Sequence, residues 1–203
     1  MLDSSLRRLI DPTLTILARP LVGRITPNQL TLASFAISLV AVPLIAYEYY
    51  WLGLICILLN RLGDGLDGTL ARLLTHNHGG SDFGGFLDLV CDFIFYAVIV
   101  AAFGLAQPHN AWVSLLLICT FAGTGTSFMA YAAIAEKRGI SQSAVQHKAM
   151  HYLGGLTEGT ETTLCFVLCC LLPQWFWLIG SIFALMCLIT LVTRCLRARA
   201  DFV

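Results

Sequence analysis

Long apolar stretches alternate with short polar breaks along almost the whole chain. A helix that spans a bilayer needs about 20 predominantly apolar residues. Six windows satisfy this requirement and predict transmembrane helices at residues 29–48, 51–72, 83–106, 111–135, 153–172 and 175–194. Because the breaks between them are short, the sequence predicts a single all-α membrane domain over residues 1–203, with a six-helix bundle at 29–194.

Residues 1–24 follow a different pattern, in which apolar and charged positions alternate at helical spacing. The apolar positions are Leu2, Leu6, Leu9, Ile10, Leu14, Leu17 and Leu21, and Arg7, Arg8 and Asp11 lie between them. This pattern predicts an amphipathic helix that lies along the membrane surface. A helix packed on a soluble partner is the alternative. Residues 1–20 lack the continuous apolar core of a cleavable signal peptide.

Composition agrees with a membrane protein, since 58% of residues are hydrophobic, 12% are charged and the mean hydropathy is +0.79. A soluble domain has about 25% charged residues. The eight cysteines lie in or beside apolar spans without a CxxC pair, which favours reduced packing residues. His76 and His78 flank Asn77 in a loop without further ligands, so no zinc site is predicted. No nucleic-acid partner is expected.

The basic residues predict the orientation of the chain in the membrane. With six spans, every Lys or Arg outside a helix interior falls on one side. The opposite connections, "YEYYW", "AQPHNAW" and "LPQWFW", contain tyrosine or tryptophan but no Lys or Arg. We therefore expect an integral protein of a bacterial inner membrane, with both termini and the active site facing the cytoplasm.

Acidic residues inside the predicted spans are the strongest functional signal, because a charge in hydrocarbon is costly and usually marks function. Six of the twelve acidic residues lie there: Asp64, Asp67, Asp88, Asp92, Glu158 and Glu161. Helical spacing places Asp64 and Asp67 on one stripe of the second span, and Asp88 and Asp92 on one face of the third. Consecutive antiparallel spans can bring these four aspartates together.

Four close carboxylates repel one another unless a cation joins them. Sites made only of carboxylate oxygens suit Mg²⁺ or Mn²⁺. Gly65 and Gly68 would leave a wall without side chains, and Arg72, about 12 Å along the helix from Asp64, could hold an anion at the membrane surface. The alternative is a structural cluster in which Asp–Arg pairs, Arg61 with Asp64 among them, fix the helix register.

Two motifs on these spans resemble the signature of the CDP-alcohol phosphatidyltransferase family: Asp64-x-x-Asp67-Gly68-x-x-Ala71-Arg72, then Gly84-x-x-x-Asp88-x-x-x-Asp92. Eight positions match in residue type, and the approach to the first span, "TPNQLTL", is also similar. The resemblance covers the whole chain, densely at 60–95 and thinly beyond 135. The loop "LLTHNHGGSDF" between the two motifs is a few residues longer than in the family pattern.

The resemblance implies an enzyme that moves a phosphatidyl, or similar phospho-alcohol, group from a CDP-linked lipid to a hydroxyl and releases CMP. It implies two Mg²⁺ or Mn²⁺ ions on Asp64, Asp67 and Asp88, with Asp92 near the second ion and also as general base. It places Gly68, Ala71, Arg72 and Gly84 in the CDP-lipid site. The implied partners are the CDP-linked lipid, a small alcohol and membrane lipids, and a homodimer is left open.

Other functions and features stay open at this point. A divalent-cation transporter could use the same aspartates, although transporters place their sites near the midplane; a non-catalytic lipid-binding protein is a third option. The acceptor alcohol is not selected by any residue. Glu158 and Glu161 could pair with Arg61 or Arg138, which we favour, or shape the acceptor pocket. Lys137, Arg138, His147 and Lys148 could bind a phosphorylated acceptor or anionic lipid headgroups.

Overall fold

The computed structural model describes residues 2–75, 81–139, 157 and 159–203. Every regular element in these ranges is helical. The α-helices are α1 (Leu2–Ala18), α2 (Pro27–Ala46), α3 (Tyr50–Thr75), α4 (Asp82–Ala106), α5 (Ala111–Lys137), α6 (Gly159–Leu171) and α7 (Phe176–Phe202). Short 3₁₀ turns precede α5 and α7 and follow α1. The chain is all-α, as predicted from its apolar pattern.

Four helical segments are long and apolar enough to cross a membrane: Pro27–Ala46, Asp82–Ala106, Pro108–Lys137 and Pro173–Phe202. They coincide with four of the six predicted spans, and the chain is an integral membrane protein. Helix α3 has 26 residues but carries the charged motif, and the 13 residues of α6 are fewer than a span needs. Membrane crossing by α3 and α6 stays a prediction.

The sequence begins its helices with recognisable caps. The Thr26 side chain accepts a hydrogen bond from the Gln29 backbone N–H, and the Gln29 side chain accepts one from Thr26, which completes a capping box before Pro27. Ser81 caps α4 by accepting from the Gly84 backbone N–H. These caps fix where α2 and α4 begin, and therefore the register of the residues that follow.

Helix α2 packs against both α3 and α4 and sets the position of the motif. Its buried face carries small polar residues, including Ser34 and Ser38. A Cβ atom on Gly63 would collide with the Ser34 side chain, so α3 approaches α2 closely at this point. The Asn60 side chain then donates a hydrogen bond to the Ser34 carbonyl at 2.9 Å. Small residues and one buried amide therefore hold α3 on α2.

The apolar core of the bundle is made of aromatic rings and buried cysteines. Phe103 stacks between Tyr50 and Phe176, with ring centroids 5.9 Å and 4.8 Å away. Phe166 makes edge contacts with Phe95 and Phe121. All eight cysteines are free thiols, and five of them are buried: Cys91, Cys165, Cys169, Cys170 and Cys187. These contacts join α3, α4, α5, α6 and α7 in one core.

Helix α1 lies against α3 and α6. Leu14 and Ala18 are buried, whereas Ile16 and Leu17 are exposed. Leu14 packs over Gly65, where an added Cβ would lie 3.0 Å from its Cδ1 atom. The chain thus has a helix where the amphipathic pattern predicted one, while its position along a membrane surface stays a prediction.

Candidate active site

Three of the four predicted aspartates converge between α3 and α4. Asp64 and Asp67 from α3 and Asp88 from α4 each offer a carboxylate oxygen, and these oxygens lie within 4.8 Å of one another. Asp67 is buried, and its Oδ2 atom accepts a 2.6 Å hydrogen bond from the Thr31 hydroxyl on α2. Thr31 was not singled out from the sequence, because only the packing of α2 on α3 brings it beside the motif.

Asp92 lies one turn further along α4 and faces a different partner. Its Oδ1 atom is 2.6 Å from Nη2 of Arg61. The Tyr96 hydroxyl lies 3.5 Å from its other oxygen. Among the described residues Asp92 therefore stands beside the converging carboxylates, paired with an arginine. Its predicted roles as metal ligand and base stay predictions.

Arg61 occupies the centre of a buried polar network, with 15% of its side chain exposed. Its Nε and Nη2 groups donate to the Asn60 Oδ1 atom at 2.9 Å and 2.7 Å. Its Nη1 group lies 3.5 Å from Asp64 Oδ2, and the guanidinium covers the Phe95 ring at 4.5 Å. The sequence offered Asp64 as a partner of Arg61; the shorter contact, to Asp92, depends on the register between α3 and α4.

A cavity of about 850 Å³ adjoins the carboxylates. Helices α1, α3, α4 and α6 supply its walls, so it collects residues that are far apart in the sequence. Beyond the charged groups it is lined by Ile10, Leu14, Leu62, Gly65, Gly68, Tyr96, Gly159, Thr160, Thr163, Leu164 and Val167. The cavity is therefore charged on the side of α3 and α4, while α1 and α6 add the apolar residues Ile10, Leu14, Leu164 and Val167 together with Asp11 and two threonines.

The residues predicted for the CDP-lipid site divide into two groups. Gly68 and Arg72 line the cavity. Arg72 is 56% exposed, donates to the Thr69 hydroxyl at 2.9 Å and lies 3.3 Å from Asp11 of α1. Ala71 and Gly84 do not line it; a Cβ on Gly84 would meet the Asn28 side chain at 3.0 Å instead. Gly65 lines the cavity as well, with the Leu14 side chain packed beside it.

Several residues singled out from the sequence lie outside the described residues. These are His76, His78, His147, Lys148 and Glu158. Glu161 is described and lies in the first turn of α6. Arg138 donates to the Phe202 carbonyl at 2.7 Å, at the ends of α5 and α7.

The converging oxygens fit a divalent cation. Mg²⁺ and Mn²⁺ prefer carboxylate oxygens, and three such groups from two helices can share one ion. Thr31 holds one of these carboxylates in place, as partners around metal ligands commonly do. The donor set on Asp64, Asp67 and Asp88 is thus chemically suited to the metal that the resemblance implies.

Comparison with known proteins identifies the family of the chain. The model of the CDP-alcohol phosphatidyltransferase family matches residues 24–196. The chain belongs to this family. Transfer of a phosphatidyl group from a CDP-linked lipid is the reaction of the CDP-alcohol phosphatidyltransferases, which places the chain among the transferases of phospholipid biosynthesis.

Two relatives and one structure show how far the likeness extends. The chain is 48% identical to the inner membrane protein YnjF of Escherichia coli over 196 residues, 96% of this chain and 93% of that protein. It is 27% identical to the bifunctional IPC transferase and DIPP synthase of Archaeoglobus fulgidus, over 81% of this chain and 32% of that protein. A crystal structure of Mycobacterium tuberculosis phosphatidylinositol phosphate synthase (PgsA1) with CDP-DAG bound shares the fold, with a TM-score of 0.72 at 22% identity over 91% and 92% of the two chains.

Proposed function

We propose that this chain transfers a phosphatidyl, or similar substituted phosphate, group from a CDP-linked lipid to the hydroxyl of a small alcohol, with release of CMP. The observation that carries the proposal is the convergence of Asp64, Asp67 and Asp88 at the wall of the 850 Å³ cavity. A substrate that is half lipid and half nucleotide needs both charged and apolar contacts, and this cavity combines the aspartates of α3 and α4 with apolar side chains of α1 and α6.

Asp64, Asp67 and Asp88 would hold Mg²⁺ or Mn²⁺, with two ions as the number that the resemblance implies. When bound, the metal would offset the charge of the pyrophosphate and stabilise the attacking and leaving oxygens. This requirement explains why acidic residues are retained where they cost stability. A purely structural cluster accounts less well for the site, since the single guanidinium of Arg61 contacts Asp92 and Asp64 and is outnumbered by the four carboxylates.

The remaining groups have distinct tasks in the proposed reaction. Arg72 holds phosphate oxygens through its two-pronged guanidinium, and Gly68 leaves space for the nucleotide. Ala71 and Gly84 would support this part of the site from outside the cavity wall. The acceptor oxygen forms a bond to the lipid-bearing phosphorus, the bond to the CMP oxygen breaks, and Asp92 takes the proton of the acceptor hydroxyl.

We propose six membrane spans, with both termini and the cavity on the cytoplasmic side of the inner membrane. The outward face of α3 supports this arrangement, because Leu52, Ile55, Leu58 and Leu59 are all exposed despite being apolar. Tryptophans 51, 112, 175 and 177 are exposed near the starts of α3, α5 and α7, as at a membrane interface. The relative YnjF is an inner membrane protein, and α1 would lie at the cytoplasmic surface.

The test is product analysis with purified protein. CDP-diacylglycerol and a panel of small alcohols are incubated with Mg²⁺ or Mn²⁺, and products are identified by mass spectrometry beside CMP release. We expect one alcohol to give a phospholipid and an equal amount of CMP, and chelation to stop both. The absence of CMP with every alcohol, together with divalent-ion flux in liposomes, would instead establish the transporter alternative.

A further inference from the structure

The four aspartates of the motif are not equivalent in this chain. Three of them converge, whereas Asp92 is paired with Arg61 through a 2.6 Å contact between Oδ1 and Nη2. Arg61 lies three residues before the motif and is not one of its eight positions. The cation that partners the fourth aspartate therefore belongs to the protein itself.

We propose that the Arg61 guanidinium takes the place of a second divalent cation, so that the site binds one ion on Asp64, Asp67 and Asp88. Asp92 is then a base positioned by an arginine and is not a metal ligand. This inference rests on the proposed function, in which these residues serve phosphoryl transfer, and it changes the number of ions that the resemblance implies.

Arg61 is fixed too firmly to act as a movable counterion. Asn60, which is 4% exposed, accepts from two of its nitrogens and is itself anchored to the Ser34 carbonyl of α2. The Phe95 ring supports the guanidinium from one face at 4.5 Å. A guanidinium held in this way presents its charge in one place, because its planar fork is already oriented by its partners.

The contacts of Arg61 also involve the carboxylate oxygens that a second ion would need as ligands. Its Nη2 group donates to Oδ1 of Asp92. Its Nη1 group lies 3.5 Å from Asp64 Oδ2 and 3.4 Å from the Tyr96 hydroxyl. A further cation on Asp92 would lie beside an arginine that cannot lose its charge, and like charges at this distance repel. The charge-assisted pair with Asp92 is correspondingly strong.

Counting bound Mn²⁺ tests the inference without reference to turnover. The full chain in lipid nanodiscs is equilibrated with Mn²⁺, and bound metal per chain is measured by elemental analysis and by electron paramagnetic resonance, which detects coupling between neighbouring ions. The variants are Arg61→Met, which removes the charge but keeps the length, Arg61→Lys, which keeps the charge, and Asp92→Asn.

We expect one uncoupled Mn²⁺ per chain in the wild type, Arg61→Lys and Asp92→Asn, and two coupled ions in Arg61→Met. If Arg61→Met does not fold, Asp92→Asn decides, because a site with two ions would lose one there. Two ions in the wild type or in Arg61→Lys, one ion in a folded Arg61→Met, or loss of an ion in Asp92→Asn would overturn the inference. One ion per chain without CMP release would instead contradict the proposed function, and with it the role of Asp92 as a base, but not the replacement of the second ion by Arg61.

Discussion

Helices α3 and α4 carry packed aromatic side chains at one end and acidic side chains at the other. At one end, the Phe103 ring stacks on Tyr50 at 5.9 Å and on Phe176 at 4.8 Å. At the other end, Asp64 and Asp88 face a cavity of about 850 Å³. The comparison shows that residues for apolar packing and residues for a polar site can lie a few turns apart on one helix.

The aromatic end of the pair, the dry end, stabilises the helices so that the polar end can carry charged groups. Close packing of aromatic rings stabilises the spacing of the helices through burial and ring contacts, so the carboxylates need not hold the pair together. At the polar end a cavity adjoins the two helices, and small groups on α2, such as the Thr31 hydroxyl, orient the charges. The following predictions test this division, from the largest expected effect to the smallest.

Asp67→Asn is expected to reduce CMP release by at least about 10³-fold, because it removes a metal-binding charge while keeping the shape of the side chain. The matched control is Glu48→Gln at the dry end, where the carboxylate contacts Gln107 at 3.3 Å; this variant should turn over normally. Activity is measured at saturating Mg²⁺ or Mn²⁺. Near-normal turnover in Asp67→Asn would remove Asp67 from the metal site, and the same result for Asp64→Asn or Asp88→Asn would remove those residues.

Phe103→Ala is expected to lower the free energy of unfolding by about 3–5 kcal/mol, the cost of truncating a large buried side chain. Phe103 is 1% exposed and lies far along α4 from the motif. Thermal unfolding in detergent measures the loss, and CMP release per folded molecule at low temperature should stay close to that of the wild type. If stability were unchanged but turnover fell, the two ends would not be independent.

Asp92→Asn is expected to slow turnover by about 10²-fold or more, in line with the loss of a positioned base. Binding of CDP-diacylglycerol should be retained, because Asp64, Asp67 and Asp88 keep their carboxylates. Binding and CMP release are measured side by side with Mn²⁺ present. Loss of both together would make Asp92 chiefly a metal ligand, and normal turnover would leave it without a catalytic role.

Arg72→Lys is expected to weaken CDP-diacylglycerol binding by about tenfold, the equivalent of about 1.4 kcal/mol and close to one charge-assisted hydrogen bond. The metal dependence should not change, because the contacts of Arg72 are with Thr69 and Asp11 and not with Asp64, Asp67 or Asp88. Titrations of lipid and of Mn²⁺ separate the two effects. A shifted metal requirement with unchanged lipid binding would assign Arg72 to the metal site.

The sequence predicted the helices well and their ends less well. The window at 29–48 corresponds to Pro27–Ala46, whereas the window at 175–194 ends well before Phe202. The apolar run ends where Arg194, Arg197 and Arg199 begin. The helix continues through them, since arginine is a good helix former. Apolar patterns thus locate the part of a helix that prefers lipid, which is shorter than the helix itself.

The aspartates could be predicted because helical spacing places them on shared faces, but their partners could not. Thr31 reaches Asp67 and Arg61 reaches Asp92 only through the register between neighbouring helices. That register depends on close contacts such as the one between Gly63 and Ser34, and one sequence does not reveal which small residues will meet. The convergence of three carboxylates and the pairing of the fourth with Arg61 therefore became visible only in the structure.

Helix α1 gives the cavity a wall that lies outside the residues matched by the family model. The family match begins at residue 24, yet Ile10, Asp11 and Leu14 line the cavity beside the motif. The boundary of the recognisable domain thus runs through the site. A recombinant protein trimmed to the matched residues would keep the motif and lose one wall of its binding site.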